Sequence, residues 1–96
     1  MKNLRLYVGC NVNGVPTHTM ADVCTVLKNC KIENATITEG FGFYLGEMER
    51  TVIVTLCDLT EAQEHYIIFT LCFLLRLVLR QECIGVERFD NLFTWE

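Results

Sequence analysis

The stretch ATITEGFGFYLGEMERTVIVTLCDL, Ala35 to Leu59, decides the fold. Val52, Val54 and Leu56 alternate with Thr51, Ile53 and Thr55, the period of two expected of a strand with one buried face. Ile37, Phe41 and Phe43 mark a preceding strand, in which Gly40 and Gly42 permit a bulge or a close backbone approach. A turn bearing Gly46 and Glu47 joins the two, so the stretch reads as a hairpin set between two segments of helical pattern.

Toward the N-terminus, Leu4, Leu6, Val8, Cys10 and Val12 alternate with Arg5, Tyr7, Gly9 and Asn11. This predicts a half-buried first strand that turns Tyr7 to the far face of the sheet. Asn13-Gly14 signals a tight bend and Pro16 ends pairing. Thr19, with Asp22 three residues on, starts a helix whose apolar stripe is Met20, Val23, Cys24 and Leu27. Toward the C-terminus, Thr60 and Gln63 form the two halves of a capping box, and a second helix is expected from about Glu61 to Glu82. Ile84 and Val86 predict a last strand, and Asn91 to Trp95 a final extended piece. The order is strand, helix, strand, strand, helix, strand. It predicts an α+β, ferredoxin-like βαββαβ two-layer sandwich, with an antiparallel sheet and both helices on one face.

Ninety-six residues, 51% hydrophobic and 21% charged, fit one globular domain spanning the chain. The net charge of -4 disfavours an electrostatic grip on nucleic acid, which needs Lys and Arg to displace counterions, and leaves basic protein surfaces as partners. The six cysteines include no CxxC pair and fall mostly on apolar faces; with no secretory leader pattern in MKNLRLYVG they read as reduced thiols in a cytoplasmic protein. No metal-ligand cluster, phosphate-cradling glycine loop or hydrolase elbow is present, so no metal or cofactor is expected.

The second helix departs from the ordinary pattern. Tyr66 to Leu79, YIIFTLCFLLRLVL, is too short and too interrupted by Arg76 to span a membrane. Ile67, Ile68, Leu71, Leu74, Leu75, Val78 and Leu79 form one wide arc suited to covering the sheet. Tyr66, Phe69, Phe73 and Leu77 lie opposite, beside Arg76 and Arg80. A two-layer domain of this size has nothing to lay over that second stripe, unless loops and the C-terminal Phe93 and Trp95 fold across it. The stripe is therefore read as an interface, most simply with further copies of the chain.

Two resemblances bear on function. Leu6-Tyr7-Val8-Gly9-Cys10-Asn11 and Gly40-Phe41-Gly42-Phe43 resemble the signatures of RNA-recognition motifs. The second string, however, falls one strand early. Only Tyr7 would then stack a base, which makes single-strand nucleic-acid binding the alternative reading. LYVG at Leu6 to Gly9, Thr36 to Gly40 with Gly42, Glu49 to Val54, and Arg80 to Glu87 resemble a family of small uncharacterised domains in bacteria and their phages. That resemblance implies a ferredoxin-like fold and a viral source, without catalytic residues. Glu39, Tyr44, Glu47 and Glu49 around the hairpin are the candidates for contacting a partner. An enzyme would need a nucleophile, base and charge-stabilising group that converge, and His18 and His65 lie apart from the hairpin in sequence. The sequence thus reads as a non-enzymatic, homo-oligomeric binding protein, and the phage resemblance implies a phage-encoded inhibitor of host defence, anti-CRISPR-like or sequestering a signalling nucleotide.

Overall fold

A computed structural model of the chain describes residues 2–89. Its elements are β1 (Lys2–Gly9), β2 (Asn11–Val12), β3 (Val15–Pro16), α1 (Met20–Asn29), β4 (Thr36–Tyr44) and β5 (Glu47–Leu59). A second, continuous helix follows in three parts, α2 (Glu61–Tyr66), a π-helical segment (Ile67–Leu71) and α3 (Cys72–Val78), before β6 (Gly85–Phe89). The four long strands form one antiparallel sheet in the order β4-β5-β1-β6. The expected α+β class, with a four-stranded antiparallel sheet and two helices, is what forms. The extended piece expected at Asn91 to Trp95 lies outside the described residues.

Alternation decides which face of the sheet is covered. Leu4, Leu6, Val8 and Cys10 of the first strand and its extension, and Val52, Val54 and Leu56 of β5, are buried in one core with Val23, Val26 and Leu27 of α1. Ile67, Leu71, Cys72, Leu75 and Leu79 of the second helix complete it. The opposite parity, Arg5, Tyr7 and Gly9 against Thr55, Ile53 and Thr51, faces away from the helices. Two two-residue turns shape the hairpins: Asn13-Gly14 joins β2 to β3 and Leu45-Gly46 joins β4 to β5. Both residues of each have positive φ, the backbone that matches strand twist.

The helix starts are as the caps predict. Thr19 N–H donates to the Asp22 carboxylate at 3.0 Å. Thr60 and Gln63 exchange bonds, Thr60 N–H to Gln63 Oε1 at 2.8 Å and Gln63 N–H to Thr60 Oγ1 at 3.1 Å. The second helix ends earlier than expected. Arg80, at φ 52, enters the left-handed region, and Gln81 N–H reaches back to Arg76 O at 2.9 Å, a Schellman stop made without glycine. Its inner face also differs from a regular wheel. Cys72 N–H bonds Ile67 O, five residues back, so the π segment absorbs an extra residue. That keeps Ile67, Leu71, Leu75 and Leu79 aligned on the core and leaves Val78 exposed.

Candidate functional site

The site is built where β1 leaves the sheet. Cys10 N–H still donates to Arg50 O at 3.1 Å, as a strand residue should. Its own carbonyl accepts from the N–H groups of Thr17 and His18, which turns the chain toward α1. The next amide, Asn11 N–H, meets no backbone carbonyl of β5; the side chain of Glu49 takes its place, Oε2 accepting at 2.8 Å. Glu49 can lie there because residue 9 is glycine. A Cβ at Gly9 would stand 2.8–2.9 Å from the carboxylate atoms of Glu49, closer than such atoms approach. Oε1 of Glu49 accepts no hydrogen bond among the described residues, so one lone-pair-rich oxygen is left for a donor from outside.

Register gives Glu49 its neighbours. Gly42 stands directly opposite on β4, and the ring of Tyr44 folds back over it, its Cε2 2.5 Å from where a Gly42 Cβ would be. Gly40, Thr51 and Gly9 form the adjacent row across three strands. The space a side chain would take is filled at Gly9 by the Glu49 carboxylate and at Gly42 by the Tyr44 ring, so on this open face Glu49 and Tyr44 lie low against the strands. Behind it, Gln81 donates from Nε2 to Asn11 O at 2.8 Å and to Leu79 O at 3.1 Å, tying the end of the second helix to the end of β1.

A second constellation lies farther along the same face. Tyr7 OH donates to Glu87 Oε1 at 2.6 Å, Arg5 Nη1 donates to the same oxygen at 3.0 Å, and the Arg5 guanidinium sits 4.5 Å from the centre of the Phe89 ring. The hydrogen bond to Glu87 raises the Tyr7 phenol above its ordinary pKa, and the bonds from Tyr7 and Arg5 hold the Glu87 carboxyl below its own. Burial pushes the Cys10 thiol up, with Glu49 and Glu39 adding to it. His18 lies over the first turn of α1, Nδ1 3.3 Å from Asp22 Oδ2, with Nε2 buried and unpartnered. A broad groove of about 1320 Å³ opens next to the Arg5–Glu87 constellation, between the 31–36 loop and the start of α2, where Arg5 and Phe89 line it together with Lys31, Glu33 and Asp58.

The residues singled out from sequence are distributed unequally. Glu49 and Tyr44 come together on the open face, and Glu47 lies on the same face at the exposed hairpin tip. Glu39, opposite Val52, stands on the helix side. Tyr66, Phe69, Phe73 and Leu77 are 40–65% exposed, with Arg76 and Arg80 exposed beside them, so among the described residues nothing covers the outer stripe. Within the stripe, Tyr66 OH donates to Cys30 O at 3.2 Å, and the Phe69 ring lies against that of His65, centroids 4.3 Å apart. Among the described residues the six thiols are free, no cluster of three or more His, Cys, Asp or Glu could hold a metal, and no helix is long and apolar enough to cross a membrane. Sequence reasoning gave no role to Gly9, Asn11 or Gln81. Their importance comes from a strand exit and a helix stop that meet only in three dimensions.

Comparison with known proteins changes the functional class. No family model matches the chain, and no curated protein does. Among solved structures, a phage SAM lyase in complex with S-methyl-5'-thioadenosine superposes with a TM-score of 0.75 at 26% identity, over 93% of this chain and 80% of that one. A phage SAM lyase in the apo state superposes with a TM-score of 0.72 at 24% identity, over 99% and 91%. The expectations of a non-enzymatic inhibitor and of an absent catalytic function are overturned by the first match, which is to an enzyme holding a small nucleoside. The RNA-binding alternative falls with them: the Tyr7 ring already lies against Gly85 and its hydroxyl is engaged by a carboxylate, a poor setting for a phosphodiester. The neighbours' reaction shows how an enzyme of this shape can lack a protein nucleophile: the sulfonium of SAM carries its own leaving group.

Proposed function

We propose that this chain cleaves S-adenosylmethionine (SAM) to S-methyl-5'-thioadenosine at the open face of the sheet around Glu49. The observation that carries the reading is the superposition, over 93% of the chain at 26% identity, on the product-bound phage lyase. The chemistry fits an acidic domain without a nucleophile. Sulfur in SAM holds a methyl group, the adenosyl C5' and Cγ of the amino-acid chain; S-methyl-5'-thioadenosine keeps the first two, so the S–Cγ bond breaks and its electron pair goes to sulfur. In a lyase no water adds to Cγ. Either the substrate's own carboxylate forms a bond to Cγ as S–Cγ breaks, giving a lactone, or a water molecule takes the proton from Cβ, the C–H pair forms the alkene and the S–Cγ pair leaves with sulfur; each route neutralises the sulfonium.

Glu49 belongs to binding in this reading. A carboxylate pressed on the sulfonium would favour the charged substrate over a transition state that is losing that charge. Its free oxygen suits instead a ribose hydroxyl or the substrate's ammonium, with the Tyr44 ring beside the flat base. The strand order supports the finer ferredoxin-like βαββαβ description. The phage source of both neighbours supports a viral source for this chain, and removal of SAM would deprive host methyltransferases of their donor. SAM is a cytoplasmic metabolite, and this supports a cytoplasmic location.

We read the chain as a homo-oligomer as well. Phe69, Phe73 and Leu77 are exposed at 65%, 56% and 63%, and Phe41, Phe43 and Met48 on the helix side of the hairpin at 68%, 71% and 64%. That is more apolar surface than a small monomer ordinarily leaves wet. Purified protein incubated with SAM should release S-methyl-5'-thioadenosine, seen by chromatography, and Glu49→Gln should release it more slowly; SAM left intact by the wild type overturns the reading.

A further inference from the structure

Gln81 lies outside the open face, yet its contacts converge on the group the proposed reaction depends on. The Schellman stop fixes its backbone: Gln81 N–H is spent on Arg76 O at 2.9 Å, after Arg80 has turned at φ 52. From that fixed point the side-chain amide uses both N–H bonds at once, on Asn11 O at 2.8 Å and Leu79 O at 3.1 Å. Asn11 is the residue whose N–H grips Glu49 Oε2 at 2.8 Å. It is thus held on both sides, its carbonyl by Gln81 and its amide by Glu49, just after β1 has made its last bond to β5 through Cys10. Without Gln81 the Asn11–Val12 peptide would lose this anchor and the Cα of Asn11 could shift, carrying with it the N–H of the preceding peptide, whose own carbonyl, Cys10 O, is held by Thr17 and His18.

We propose that Gln81 is the positioning residue of the site: through Asn11 it sets where the Glu49 carboxylate stands, and so links the end of the second helix to ligand geometry. This rests on the SAM-cleaving reading for its catalytic consequence, while its structural half, that Gln81 fixes the Asn11–Glu49 bond, stands independently. The side chain does the work as a donor. A glutamate at this position would offer two acceptors to two carbonyls and should be worse than a methionine, which is of similar length and merely silent.

The test compares wild type, Gln81→Met and Gln81→Glu by two readouts. The first is the amide proton of Asn11 in NMR spectra, which a hydrogen bond to a carboxylate moves downfield. It should shift upfield in Gln81→Met, in the direction given by Glu49→Gln, while the amides of the core strands stay in place. The second is turnover of SAM. kcat/KM should fall about tenfold to a hundredfold in Gln81→Met, as misplacement of a binding group by about an ångström costs, and further in Gln81→Glu, with the melting temperature of Gln81→Met near that of wild type. An unmoved Asn11 amide in Gln81→Met overturns the inference whatever the activity. A moved amide with unchanged turnover removes its catalytic half and leaves the SAM-cleaving reading intact. A wild type that neither turns over SAM nor binds S-methyl-5'-thioadenosine refutes that reading, and the amide shift still decides whether Gln81 sets Glu49.

Discussion

Glu49 is held at one oxygen by Asn11, over a glycine that gives it room, with the other oxygen unbonded. Removing its charge by Glu49→Gln should weaken ligand binding about tenfold to a hundredfold, the worth of a hydrogen bond to a charged group. Calorimetry with two ligands says which donor it takes. S-Methyl-5'-thioadenosine has the ribose without the amino acid, so equal losses for it and for SAM assign the ribose, a loss confined to SAM assigns the ammonium, and no loss with either contradicts the account. Gly9→Ala should act on the same group, because its Cβ would displace a flexible carboxylate rather than backbone: turnover falls while the melting temperature stays within a few degrees. Leu45 offers a prediction of the opposite sign. It is fully exposed at φ 51, where a bulky side chain is strained, and Leu45→Asn should stabilise the hairpin by about 1 kcal/mol in denaturant melts; a loss would show that the leucine is packed in the native assembly. Tyr7 titrates above its ordinary value of about 10 because its proton is given to Glu87. A pKa raised on folding favours the protonated form, so the bond contributes below the unfolded value and is lost as pH rises through the folded one. Glu87→Gln should bring the phenol down, read as tyrosinate absorbance against Tyr7→Phe.

At the scale of elements, the helix after Thr60 carries two apolar faces that answer to different things. Leu75 is fully buried against the sheet, and Leu75→Ala should cost about 2–5 kcal/mol of folding stability. Phe73, two residues earlier on the opposite face and 56% exposed, should cost the folded subunit little when changed to glutamate, yet Phe73→Glu should reduce the mass seen in light scattering to that of one chain. A wild type already monomeric at working concentration defeats the interface reading. Much of this level was legible in the residues. The alternation through Leu4, Leu6 and Val8 and through Val52, Val54 and Leu56 foretold both faces of the sheet, and the Thr60–Gln63 pair foretold the helix start. The wheel failed at Val78 because a π segment changes the helical period, and nothing in Ile67 to Leu71 announces that change. The helix stop at Arg80 was missed because a residue other than glycine takes the left-handed turn there.

For the molecule as a whole, the fold class followed from pattern while the chemistry did not. Glu49 and Tyr44 were singled out as hairpin residues, but the glycine beneath Glu49, the amide that holds it and the glutamine behind that amide come from Gly9, Asn11 and Gln81. These positions are distant in sequence and ordinary in composition. On the SAM-cleaving reading a protein nucleophile is not among the parts to look for, since the sulfonium of the substrate departs as a neutral sulfide. The measurement that tests this most directly is incubation of the purified chain with SAM in water enriched in oxygen-18, following sulfur and carbon products separately by mass spectrometry. The account predicts S-methyl-5'-thioadenosine together with a four-carbon product free of oxygen-18 when first formed. Intact SAM, or a four-carbon product that carries the label from the outset, would contradict it.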